Sequence, residues 1–139
     1  MIWQASYPPD IAYRRHCELT SIVLRMVPNR HRHTIRMAFT ELLSNAVKAS
    51  KANGGEYVHM AWTLEGQQLR LELINEGVKF IPTAADKVMP DPTGEHLSGR
   101  GIPIAHLCSD TLDYLEHEYD VMATHVVATW NLAKLWSIA

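Results

Sequence analysis

The sequence has no apolar run approaching the ~18–20 residues needed for a membrane-spanning helix. It is also poor in cysteine, with only Cys17 and Cys108, far apart and in no paired motif. The two could bridge, but their helical contexts and a reducing compartment favour buried thiols. No charge of one sign dominates: the net charge is −2, which gives no general attraction to nucleic acid. The start, Met1-Ile2-Trp3-Gln4, lacks a basic segment followed by an apolar core, so no secretory signal is evident. The expected location is therefore the cytoplasm, without a membrane. The eight histidines are scattered and form no His-x-x-x-His pair, so the spacing points to no structural metal site. One local basic cluster, Asn29-Arg30-His31-Arg32-His33 with Arg36, reads as a solvated helix start.

What is present is ordinary globular material. The 139 residues are 47% hydrophobic and 20% charged, enough for one soluble domain over 1–139 with a real core. Residues 2–7 read as a short strand closed by Pro8-Pro9, and Asp10 is placed to cap a helix. Ile11, Leu19, Ile22, Val23 and Met26 give that helix an apolar stripe up to Pro28. A second helix runs from about Asn29 to the stop signal Asn53-Gly54-Gly55, with Ile35, Ala38, Leu42, Ala46 and Ala49 as its stripe.

Two alternating segments follow, Val58-Met60-Trp62-Leu64 and Leu69-Leu71-Leu73, joined by Glu65-Gly66-Gln67 as a hairpin. Periodicity then disappears through a proline- and glycine-marked loop, about 77–98, of a length usually reserved for function. A short helix opens at Gly99-Arg100-Gly101 with Pro103 in its first turn. Strands at Thr111 to Glu116 and Met122 to Leu132 close the chain. The four tryptophans, Trp3, Trp62, Trp130 and Trp136, read as core or interface anchors. One-sided strands and amphipathic helices imply a two-layer α/β (α+β) sandwich, a mixed and mostly antiparallel sheet covered on one face by helices.

Three segments carry chemistry. Glu41, Asn45 and Lys48 are spaced four and three apart, so they project from one stripe of the second helix. A carboxylate can accept a proton from an attacking hydroxyl. An amide oxygen suits Mg²⁺, and an ammonium suits a phosphate. The hairpin's second strand ends in Asn75-Glu76-Gly77-Val78-Lys79-Phe80, where glycine lets backbone approach a flat ligand. After the loop, Ser98-Gly99-Arg100-Gly101-Ile102 presents amides at a helix start, which favours phosphate.

In this order the segments resemble the nucleotide site of the GHKL superfamily of histidine kinases, gyrase-like ATPases and anti-sigma-factor kinases. Glu41-x-x-x-Asn45-Ala46 is similar to its N-box, which implies Glu41 as base and Asn45 as the Mg²⁺ ligand. Asn75 to Phe80 resembles the first glycine box, whose aspartate receives the adenine amino group, and Gly99-Arg100-Gly101-Ile102 resembles the second. Thr124 matches a threonine common near the adenine pocket. The resemblance implies ATP with Mg²⁺, held by Asn45, Lys48, Asn75, Gly77, Ser98, Gly99, Arg100, Gly101 and Thr124.

The short chain is most similar to the stand-alone serine/threonine kinases. That likeness implies a STAS-domain anti-anti-sigma factor as substrate, a sigma factor as a further partner, and a homodimer. Three positions depart from the pattern: Asn75 replaces the aspartate, Lys79 the second glycine of that box, and Pro103 follows Gly101-Ile102. Two other readings keep the same fold: a partner-sequestering module with weakened nucleotide binding, and the ATPase domain of a larger signalling protein.

Overall fold

The computed structural model describes residues 1–77, 79–80, 82, 101–115 and 122–134. The elements are β1 (Ile2–Tyr7), α1 (Pro9–Leu24), α2 (Asn29–Ala52), β2 (Val58–Glu65), β3 (Gln68–Glu76), α3 (Gly101–Leu107), β4 (Thr111–Leu115) and β5 (Ala123–Asn131). The strands form one sheet in the order β1-β2-β3-β5-β4. Each pairing among them is antiparallel, so the described part of the expected mixed sheet is wholly antiparallel. The β2–β3 hairpin turns at Gly66-Gln67, and Gly66 takes φ +59°, which a two-residue hairpin loop demands at its first position.

Alternation fixes the inner face of the sheet. Trp62, Leu71 and Ala128 stand side by side across β2, β3 and β5, as do Met60, Leu73 and Val126. All six are buried, and Trp62 stacks on Trp130 with ring centroids 5.9 Å apart. Helix α2 lays Ile35, Ala38, Leu42 and Ala46 on this face, at the spacing expected of an apolar stripe. Fully burying a large apolar side chain is worth about 1.5–3 kcal/mol, so this stack dominates the fold's stability.

Helix α1 departs from its sequence reading. Ile11, Ile22 and Met26, expected in the stripe, are 44%, 50% and 50% exposed. The buried residues are Ala12, His16, Thr20, Val23 and Leu24. Two polar side chains fill the inner stripe because each finds a partner there. The His16 Nε2–H donates to the Val58 carbonyl at 2.8 Å, and Trp62 Nε1–H donates to Thr20 Oγ1 at 2.9 Å. A hydrophobicity pattern scores such residues as outward and so turns the helix the wrong way. Asp10 is likewise corrected: the helix begins at Pro9, the cap position is Pro8, and no side chain caps it.

The basic cluster is solvated only in part: Asn29, Arg30, His33 and Arg36 are exposed, whereas Arg32 is half-buried and His31 points inward. His31 is 1% exposed and donates through Nε2 to the Leu132 carbonyl at 2.8 Å, where Arg30 also donates at 3.1 Å. Arg32 donates to the Val27 and Arg25 carbonyls, closing the turn between α1 and α2. These residues fasten the start of α2 to the end of β5. Strand β5 shows a further difference from simple alternation, since Ala123 through Ala128 are all buried. It runs between two strands, and its outer face places His125 against Glu72, Nε2 to Oε1 2.5 Å. Both cysteines are free, but only Cys108 is fully buried; Cys17 is partly so. Trp3 packs at the core's edge, and Trp136 lies outside the described residues.

Candidate functional site

The long second helix brings the chemistry together. Glu41 is half-buried, while Asn45 and Lys48 are exposed on the adjoining turns. The first residue of α3, Gly101, sits directly against the first two. A side chain there would place its Cβ 2.9 Å from Glu41 Oε2 and 3.2 Å from Asn45 Nδ2. Any larger residue there would have to push the carboxylate and the amide aside. Two segments separated by more than fifty residues thus share one surface, which spacing alone could only suggest.

The second glycine contact lies farther along the same helix. Gly77 takes φ +105°, and a Cβ on it would lie 3.0 Å from the Asn53 carbonyl and 3.1 Å from the Gly55 nitrogen. Its N–H donates to the Met122 carbonyl at 2.8 Å. A Cβ on Gly55 would overlap the Glu76 carbonyl and Ser50 Oγ. The end of β3 is therefore pressed onto the C-terminal turn of α2 with no room for side chains.

Asn75 closes the inner row of β3 after Leu69, Leu71 and Leu73. It is 3% exposed and lies between Val58 and Thr124 across the neighbouring strands. Thr124, 8% exposed, accepts from the Phe80 N–H at 3.1 Å. Asn75 Nδ2 is buried without a protein hydrogen-bond partner, as is Ser50 Oγ on α2. Leaving a buried donor unpaired costs about 1–3 kcal/mol, so such groups are arranged for a ligand or water rather than for the apo fold.

Of the residues expected from the sequence, Glu41, Asn45 and Gly101 come together. Asn75, Gly77 and Thr124 gather at the ends of β3 and β5, near the C-terminal end of α2. Lys48 is exposed on the helix between the two groups, and Lys79 is exposed beyond Gly77. Ser98, Gly99, Arg100 and nearly all of the loop about 77–98 lie outside the described residues.

Sequence reasoning missed a cleft of about 260 Å³ lined by His33, Arg36, Met37, Thr40, Glu41 and Ile104. It also missed Ser50 and Tyr13. Burial, then Cys17, then the Glu41 carboxylate push the Tyr13 hydroxyl above its ordinary range. The signal for the cleft was in the helical period: His33, Met37, Thr40 and Glu41 share one side of α2, one turn before the Asn45 position.

Helices over one face of an antiparallel sheet, with a glycine-started helix seated on a Glu–Asn pair, define a GHKL-type nucleotide-binding fold. A sequence model of the histidine kinase-like ATPase domain matches residues 14–130, and the chain belongs to that family. Among solved structures, the Acinetobacter baumannii histidine kinase AdeS is similar, with a TM-score of 0.52 and 13% identity. The match covers 96% of this chain and 70% of that one, and it bears on the fold. No curated protein matches the chain. Among the described residues no helix is long and apolar enough to cross a membrane.

The residues fit a nucleotide with Mg²⁺. Gly101 leaves the Glu41 carboxylate and the Asn45 amide undisplaced beside the start of α3, and Asn75 and Ser50 offer polar atoms that the protein leaves unused.

Proposed function

We propose that this GHKL-type ATPase domain is an ATP-dependent protein serine/threonine kinase of the anti-sigma-factor type. Its substrate on this reading is a STAS-domain partner in the cytoplasm. The observation that carries the proposal is the seating of Gly101 on Glu41 and Asn45. It sets a proton acceptor and a hard oxygen ligand beside the start of a helix whose amides suit phosphate.

Bound ATP with Mg²⁺ would supply the phosphoryl group and neutralise its charge. Asn45 would hold the ion, and Lys48 with the backbone at Ser98, Gly99, Arg100 and Gly101 would hold phosphates. Asn75, Gly77 and Thr124 would receive the base. Glu41 would take the proton from the attacking hydroxyl, and its carboxylate also borders the cleft lined by Arg36, Met37 and Ile104. An acceptor segment entering there would meet Glu41 from the side away from Asn45. Positioning and charge neutralisation carry such a transfer.

The test is incubation of the chain with STAS-domain proteins from the same genome and labelled ATP. One partner should become labelled, and Glu41→Ala or Asn45→Ala should reduce the label by about 10²-fold or more. ATP binding without transfer to any of them would instead favour the sequestering module. No ATP binding at millimolar concentration would end the kinase reading.

A further inference from the structure

One of the positions that depart from the family pattern, Asn75, carries an unused buried donor. A carboxylate at the end of β3 would only accept hydrogen bonds, whereas the Asn75 amide has an acceptor on one side and two donors on the other. Its Nδ2 is buried and unpartnered, and the side chain is 3% exposed. Neither cross-strand neighbour accepts a hydrogen bond from it. Val58 is aliphatic, and the Thr124 hydroxyl accepts from the Phe80 N–H. A base seated against Asn75 would meet this donor with an acceptor of its own.

The edges of the purines decide which bases can do so. A 6-amino purine presents an amino donor beside the N1 acceptor; a 6-oxo purine presents a carbonyl acceptor beside an N1–H donor. A carboxamide complements either edge, because turning it over about its Cβ–Cγ bond exchanges donor and acceptor. A carboxylate complements only the donating atoms and sets oxygen against oxygen at the 6-oxo group. We infer that Asn75 makes the site a dual-purine pocket, accepting 6-oxo purine triphosphates as well as ATP. The inference rests on the nucleotide-site reading and adds the chemical class of nucleotide.

Titration calorimetry with Mg²⁺ and either ATP or inosine triphosphate, on wild type and Asn75→Asp, tests it. Inosine triphosphate differs at the 6-position without adding the 2-amino group of guanine. Wild type should bind both within about threefold, and Asn75→Asp should shift the ratio toward ATP by about tenfold or more, as expected when a buried polar match is replaced by a mismatch. Asn75→Ser, which keeps the site uncharged, should weaken both nucleotides alike. It provides the comparison should the buried carboxylate impair folding. A wild-type preference for ATP above about tenfold, or an unequal loss in Asn75→Ser, would overturn the inference. Failure of wild type to bind either nucleotide would instead remove the nucleotide site itself, and this inference with it.

Discussion

At the scale of single residues, the most informative position is Gly101. Alanine there would press on the flexible ends of Glu41 and Asn45 rather than on backbone, so the fold can yield while the site is displaced. Gly101→Ala should weaken ATP binding by about tenfold or more, a misplacement effect, with a melting temperature close to wild type. Calorimetry and thermal melts on the same sample check both parts.

His16 gives a second residue-scale prediction. Burial holds its imidazole below the ordinary 6.5; the hydrogen bond to the Val58 carbonyl opposes that shift, and nearby His59 adds to it. The neutral ring is thus the folded form, and its Nδ1 has no partner for a second proton. The unfolded chain takes up that proton near 6.5, so the contribution is complete above this pH and is lost as pH falls toward the folded value. Melting temperatures at about pH 7.5 and pH 5.5 should differ more for wild type than for His16→Gln. Equal slopes would remove His16 as the cause.

At the scale of elements, the junction of α2 with β3 is the tightest packing around the site. A Cβ on Gly55 meets a backbone carbonyl, which cannot move aside as a side chain can. Gly55→Ala should therefore cost about 1–3 kcal/mol of stability, in the range of overpacking, measured by urea denaturation. A neutral result would mean that the turn after α2 shifts freely.

This junction also shows what was legible beforehand. Gly54-Gly55 announced the end of α2, and Gly77 announced a close approach, but no pattern said that the two meet. The elements themselves were readable because β2, β3 and α2 keep their apolar period. Helix α1 was rotated in the reading because His16 and Thr20 are inside and Ile11 and Ile22 outside, an exchange paid for by hydrogen bonds to Val58 and Trp62. The Arg30 and His31 staple was invisible for the same reason. Its acceptor, the Leu132 carbonyl, is a hundred residues away in sequence and belongs to the backbone.

For the whole molecule, stability and the site depend on the same layer. Trp62 and Trp130 are both fully buried and stacked between the sheet and α2, with Phe39 of α2 tilted against Trp62 at 5.9 Å. Trp62→Ala should cost about 3–5 kcal/mol through lost burial and a residual cavity, and it would also strand Thr20 without its indole donor. Denaturant midpoints would register the loss, and a change below ~1 kcal/mol would show that the core refills. The site residues were legible as types and spacings, yet their meeting depended on the full sheet order, β1-β2-β3-β5-β4, which local patterns do not encode.

One consequence of the architecture concerns α2, which touches Gly101 at Glu41 and Asn45 and Gly77 at Asn53. The helix works as a ruler with two fixed marks, Asn45 and Asn53 being about 12 Å apart by its rise per residue. Lengthening it by a single alanine between those marks would keep it helical but swing the later mark by about 100°. On the proposed nucleotide reading, the Gly101 and Gly77 ends of the site would then fall out of phase, each locally intact but no longer facing the same molecule.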